Sequence, residues 1–117
     1  MIKSVLLKSL GKTNTSEEEY DKVTVTAGMK WTLLEVRPYF SRVANVNECR
    51  LYRLTYPILQ MNSYIENSIK KPVPVDTELG AGEQLRLTGV TDGTSTDFIV
   101  AVIYDETAVK RVIVIIF

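Results

Sequence analysis

Apolar and polar residues alternate with a period of two through most of this chain, and its most hydrophobic stretch, residues 96–117, lies at the end. Within it Phe98, Val100, Val102 and Tyr104 fall on one face of an extended segment, and Ile99, Ala101 and Ile103 fall on the other. Neither face is polar, so such a strand needs cover on both sides. Asp105 and Glu106 are expected to break the run as a tight link over residues 105–108. A second strand then resumes, and Val112, Ile113, Val114, Ile115, Ile116 and Phe117 close the sequence. A run of this kind, without charge or proline, is an aggregation hazard when exposed. It is therefore expected to be buried, in the core or against a partner.

The same alternation places the earlier elements. Residues 1–10 read as a strand, with Val5 and Leu7 on one face, although Ile2, Val5, Leu6 and Leu10 also fit a helical stripe. Residues 11–21 are polar and read as a loop, with capping-box form at Ser16 to Glu19 but no amphipathic run behind it. Residues 22–27 alternate, with Val23, Val25 and Ala27 inward. Residues 31–41 form the next strand, where Pro38 is expected to mark an edge or a bulge. Residues 42–48 are an asparagine-rich loop, and residues 49–56 are again extended. Residues 57–70 could be a helix opened by Pro57, but Asn62, Ser63, Asn67 and Ser68 favour a strand over 58–65 followed by a loop. Pro72 and Pro74 allow only extended loop or edge. Leu85 and Leu87 point inward from a short strand, and Asp92-Gly93 is a turn before the final pair. Seven to nine short strands with little helix and no repeat predict an all-β, antiparallel β-sandwich or barrel.

Length adds that the 117 residues make about one domain. The expected organisation is a single unit over 1–117, with 1–19 as its first strand or an arm that packs on a neighbour. Lysine plus arginine equal aspartate plus glutamate at 14 each, so no global field draws the chain to nucleic acid or anionic lipid. The lone cysteine, Cys49, rules out an internal disulfide and reads as a small packed hydrophobe. No apolar run approaches the roughly 18 residues of a membrane span. Lysines interrupt residues 1–8 too often for a classical signal peptide.

Chemistry is narrowed more sharply. There is no histidine, which removes Ser-His triads, histidine acid-base pairs and histidine metal sites. Gly11-Lys12-Thr13 resembles the tail of a phosphate loop, but Leu6 stands where the motif needs its first glycine. Residues 92–97 lack the alternating acids of a calcium loop. Asp76, Glu78 and Glu83 have nothing that places them face to face as glycosidase carboxylates. Asn14-Thr15-Ser16 is a glycosylation sequon whose simpler reading is a polar loop. No enzyme, cofactor or metal is expected.

One constellation remains. Trp31, Arg37, Tyr39, Arg50, Tyr52 and Arg53 interleave aromatics and arginines, as a surface for single-stranded nucleic acid or sugar rings would. The alternative is that the aromatics are core or interface anchors and the arginines pair with acids across strands.

The order of short strands, the Val73-Pro74-Val75-Asp76 lead, the Gly82-Glu83-Gln84-Leu85-Arg86-Leu87 strand entry and the closing strand with Tyr104-Asp105-Glu106 resemble small jelly-roll sandwiches of virus and phage particles. The likeness covers most of residues 23–117 and carries over no functional residue. It implies a capsid, vertex or decoration subunit that self-associates and joins other shell proteins in the virion. The interface expected on that reading is Val5, Leu7, Val112, Val114, Ile116 and Phe117.

Overall fold

The computed structural model describes residues 1–66 and 73–109. They form eight strands: β1 (Ile2–Lys12), β2 (Glu18–Thr24), β3 (Met29–Phe40), β4 (Glu48–Arg53), β5 (Tyr56–Asn62), β6 (Val73–Leu79), β7 (Gln84–Val90) and β8 (Thr96–Ala108). One helical turn, α1 (Ser63–Glu66), follows β5. Among the described residues no helix is long and apolar enough to cross a membrane.

The strands make two antiparallel sheets, ordered β1-β8-β3-β6 and β2-β7-β4-β5. Within them β1 pairs with β8, β2 with β7, β3 with β6 and β4 with β5. The chain thus runs as one long hairpin, its first four strands against its last four in reverse. Successive rungs of that hairpin go alternately to the two sheets, which is the jelly-roll winding. The expected antiparallel β-sandwich of jelly-roll type is what these residues build.

Alternation explains the core. In β8, Phe98, Val100, Val102 and Tyr104 are buried between the sheets, while Ile99, Ala101 and Ile103 stay half-exposed on the outer side. Phe98 meets the rings of Tyr20 and Phe40 at 4.9 and 5.4 Å, and Trp31 stacks on Tyr104 at 3.9 Å. Leu85 and Leu87 come inward from β7 and Cys49 and Leu51 from β4, all fully buried.

Several expectations change. Residues 105–108 do not break the strand, because β8 runs on to Ala108, paired with β3 throughout and with the start of β1 as far as Glu106. Its acids lie at the sheet end where cations reach them: Asp105 takes the Met1 amino group at 2.7 Å and Glu106 takes Lys3 at 2.6 Å. Pro38 is not at the bulge, and the described β3–β6 ladder stops short of it, at Val36. Pro38 is buried in the interior strand β3 opposite Val100. Val100 falls in the set of β8 residues that exchange bonds with β1, so the missing N–H of Pro38 points away from β8. The β3 irregularity lies at Leu34 instead, where both ladders shift.

Other boundaries move less. The strand expected to reach Tyr56 ends at Arg53, and Leu54 turns the chain at a φ of 56°. Tyr56 opens β5, which ends at Asn62 before α1. Ala27 lies beyond β2 and is exposed. Glu18 and Glu19 belong to β2 and not to a loop. Most of the loop expected after residue 65, at 67–72, and the second strand of the C-terminal pair, apart from Val109, lie outside the described residues.

Candidate functional site

The outer faces of the two sheets are chemically unlike. On the β2-β7-β4-β5 sheet the outward positions form one lattice of paired charge. Arg86 binds Glu19 at 2.7 Å, and Arg50 bridges Glu17 and Glu48, each at 3.0 Å. Glu17 also accepts from the Tyr52 and Thr88 hydroxyls, each at 3.0 Å, and Gln60 reaches Glu48 at 2.6 Å. Arg53 pairs with Glu83 at the end of the same sheet. These partners hold Glu19 and Glu83 below the usual carboxylate range, through the hydrogen bonds of Arg86 and Arg53 respectively.

The outer face of the other sheet is apolar along β1 and β8. Ile2, Leu6 and Leu10 of β1 are 61, 60 and 59% exposed. Leu6 lies beside Ala101, Ser4 beside Ile103 and Lys8 beside Ile99 in the β1–β8 ladder. Leu34 and Tyr39 extend the patch onto β3, whose outer face also carries the ion pairs Arg37–Glu35 at 2.8 Å and Lys30–Glu78 at 3.7 Å. Along β1, Lys8 is the charge that interrupts it, and its backbone N–H is tied at 3.0 Å to Asp21 of β2.

The edge of β1 has a defined polarity. Glu106 N–H donates to the Met1 carbonyl, so the odd-numbered residues of β1 exchange bonds with β8. The N–H and C=O groups of Ile2, Ser4 and Leu6 therefore point to the outside. Among the described residues β8 is the strand that pairs with β1.

The residues singled out in the sequence divide between these surfaces. Leu7 is 1% exposed and sits in the chain's own core, and Val5 packs partly against it. Both side chains point inward, and the exposed apolar positions beside them on β1 are the even-numbered Ile2 and Leu6. Val112, Val114, Ile116 and Phe117 lie outside the described residues. The six aromatic and arginine residues do not form one surface. Trp31, Arg37 and Tyr39 belong to β3 in one sheet, and Arg50, Tyr52 and Arg53 to β4 in the other. Trp31 is buried against Tyr104 and donates its indole N–H to Glu106 at 2.8 Å. Every arginine among the described residues is paired with an acid.

Sequence reasoning missed Asn47. Its side chain is fully buried where the loops at one end meet, accepting from Asp92 N–H at 3.0 Å and donating toward Arg42 O and Thr96 Oγ1, each at 3.3 Å. Nearby, Thr15, Val46, Glu48 and Asp92 line an open hollow of about 540 Å³. Asp92 there is held by Arg42 at 2.8 Å, which keeps its carboxyl below the usual range.

No family model matches the chain, and no curated protein matches it by sequence. Solved structures do. A chain of the acid-stable capsid structure of Helicobacter pylori bacteriophage KHP30 superposes with a TM-score of 0.51 at 14% identity, covering 95% of this chain and 100% of that one. This chain has the fold of a phage-capsid chain. A chain of infectious bursal disease virus, Gx strain, is more distant, with a TM-score of 0.41, 9% identity and cover of 88% of this chain and 32% of that one. Its TM-score is too low to carry weight.

Proposed function

We propose that this chain is a non-enzymatic structural subunit of a virus particle, a capsid, vertex or decoration protein, and that it self-associates through the outer face of its β1-β8-β3-β6 sheet. The observation that carries the proposal is the contrast between the two outer faces. One satisfies its charges internally, and the other leaves Ile2, Leu6 and Leu10 in water. Burying such a side chain contributes about 1.5–3 kcal/mol. With about 60% of each still exposed, the three bring about 3–5 kcal/mol, at the low end of the roughly 4–15 kcal/mol that association costs. The patch becomes worthwhile when β8 and the sheet edge are buried with it, as in a shell where each copy meets neighbours.

The likeness to a phage-capsid chain over nearly the whole of both chains supports this reading. On it the protein acts as one domain, resides in the virion and contacts other shell proteins. Light scattering on the purified chain over a range of concentrations tests it. A discrete multimer is expected. A monomer at every concentration that binds an oligosaccharide or single-stranded oligonucleotide would overturn it.

A further inference from the structure

We infer that Glu106 is an acid-released clasp: its ionised carboxylate holds the first half of β1, residues 2–5, on the sheet, and its protonation lets that segment lift away with Ile2. The part of this that concerns assembly rests on the self-association proposed above. Glu106 of β8 lies directly opposite Trp31 of β3, and Lys3 of β1 lies opposite Tyr104, so all four side chains point between the sheets at one end of the core. The Glu106 side chain is 9% exposed. One of its oxygens takes the Lys3 ammonium at 2.6 Å and the other takes the Trp31 indole N–H at 2.8 Å. A single carboxylate thus ties three neighbouring strands, and a carboxylate so nearly buried is tolerated because both oxygens are bonded.

The two halves of β1 are held differently. From Leu7 onward the strand is anchored by Leu7 in the core, by Asp21 on the Lys8 N–H at 3.0 Å and by Asp97 on the Gly11 N–H at 2.7 Å. Before Leu7 the inward side chains are Lys3 and Val5, and Val5 is only partly buried. Among the described residues, the first half therefore depends on its ladder with β8 and on Lys3 reaching Glu106. The groups around Glu106 set the sense of the switch. Lys3 and the Met1 amino group on β1 favour its ionised form, as does the Trp31 N–H on β3, and they hold its carboxyl below the usual range. Tyr104, its titratable neighbour on β8, is raised by burial and stays neutral in acid. Asp105 and Lys30 sit on the outer side, where Lys30 meets Glu78. Across the sandwich Glu83 is held by Arg53, and the turn at residues 25–28 carries no ionisable side chain. A carboxylate lowered in the folded state gives its stabilisation at neutral pH and loses it as pH falls through the lowered value. Neutral Glu106 leaves Lys3 without its partner while Leu7 stays packed, so the opening is local.

Trp31 is the chain's single tryptophan, so its emission reports on Glu106 directly. Emission and backbone amide exchange are followed from pH 7 downward, with circular dichroism reporting the fold and sedimentation velocity the mass. In the unmodified chain the emission is expected to shift in one acid step. Across it the Lys3 and Val5 amides should lose protection roughly tenfold, while the Leu7 amide keeps its own. Glu106→Gln keeps the shape and an acceptor for Trp31; it should show no emission step and leave Lys3 and Val5 exchanging freely at pH 7. If that variant does not fold, Lys3→Gln replaces it: the Val5 amide should be freed at pH 7, and the emission step should move to higher pH, a shift that lost packing alone does not produce. Amides that stay protected through the acid step, or in the variant at pH 7, would overturn the clasp, and so would a step that coincides with global unfolding. A multimer at pH 7 is expected to lose mass across the step; one that persists while the amides open would overturn the coupling to assembly. A chain already monomeric at pH 7 would instead defeat the proposed function, and the amides would still decide on the clasp.

Discussion

The Tyr20 ring fills the space that a side chain at Gly89 would need: a Cβ there would fall 2.1 Å from Tyr20 Cε2. Tyr20 is the extra residue of the β2 bulge, between Glu19 and Asp21. Its ring packs on Phe98, and its hydroxyl donates to Asn14 Oδ1 at 2.7 Å. The Asn14 amide in turn donates to Gly89 O and Ser16 O, both at 2.8 Å, fastening the β1–β2 loop to β7. Gly89→Ala is expected to destabilise by about 1–3 kcal/mol, the usual range for overpacking. In a Tyr20→Ala background the same substitution should cost little, and denaturant melts of the cycle measure this. Strictly additive costs would contradict the contact.

Asn47→Ala should cost about 1–3 kcal/mol, because it leaves the Asp92 N–H without its acceptor at a buried junction. Hydrogen exchange should rise locally in residues 91–95. An unchanged melt and unchanged exchange would remove Asn47 from its tying role.

Stability should fall at both extremes of pH. Glu19, Glu83, Asp92 and Glu106 are held below their ordinary values by hydrogen bonds from Arg86, Arg53, Arg42 and Lys3 respectively. A carboxylate lowered in the folded state contributes stability above its unfolded value and loses it as pH falls through the lowered one. The acid loss should be modest and smaller in high salt, since the cation of each pair stands in solvent. Burial pushes Tyr20 up to about 12 from 10.0. A raised tyrosine contributes stability below its unfolded value that is lost between about pH 10 and 12. Burial raises Tyr104 as well, so tyrosinate absorbance should show late-titrating tyrosines of which Tyr20→Phe removes one.

Cys49 is fully buried in β4 opposite Gly89 and Met61. A thiol reagent should therefore label it only as fast as the protein unfolds, with labelling accelerated by denaturant and by Gly89→Ala. Rapid labelling of the native protein would contradict the packing of that strand.

Period-two alternation made most of this fold legible. Leu85 and Leu87, or Phe98 to Tyr104, face the side that alternation assigned them because one residue of slip would turn each strand inside out. Errors fell where tertiary partners override local chemistry. Asp105 and Glu106 read as a break, yet Met1, Lys3 and Trp31 supply their partners and keep β8 straight through them. The turn at Leu54 carries no glycine, asparagine or aspartate to announce it, and is held by Leu54 N–H to Gln84 O and by Arg86 on Leu54 O. The site was half legible. A two-sided apolar β8 signalled a second surface to cover, but which face of β1 joins it depends on register. That register makes Leu7 core and leaves Leu6 outside. The separation of Arg37 from Arg50 into different sheets follows from the jelly-roll winding, which no local pattern encodes.

Face-specific substitution followed by sedimentation velocity tests the central claim most directly. Leu6→Lys places a charge in the apolar outer face of the β1-β8-β3-β6 sheet, and Gln60→Lys places one on the opposite, polar face as a control. The account predicts a multimer for the unmodified chain and for Gln60→Lys, and for Leu6→Lys a monomer that still melts cooperatively, at a temperature that no longer depends on protein concentration. A Leu6→Lys chain that assembles as fully as the unmodified protein would contradict it.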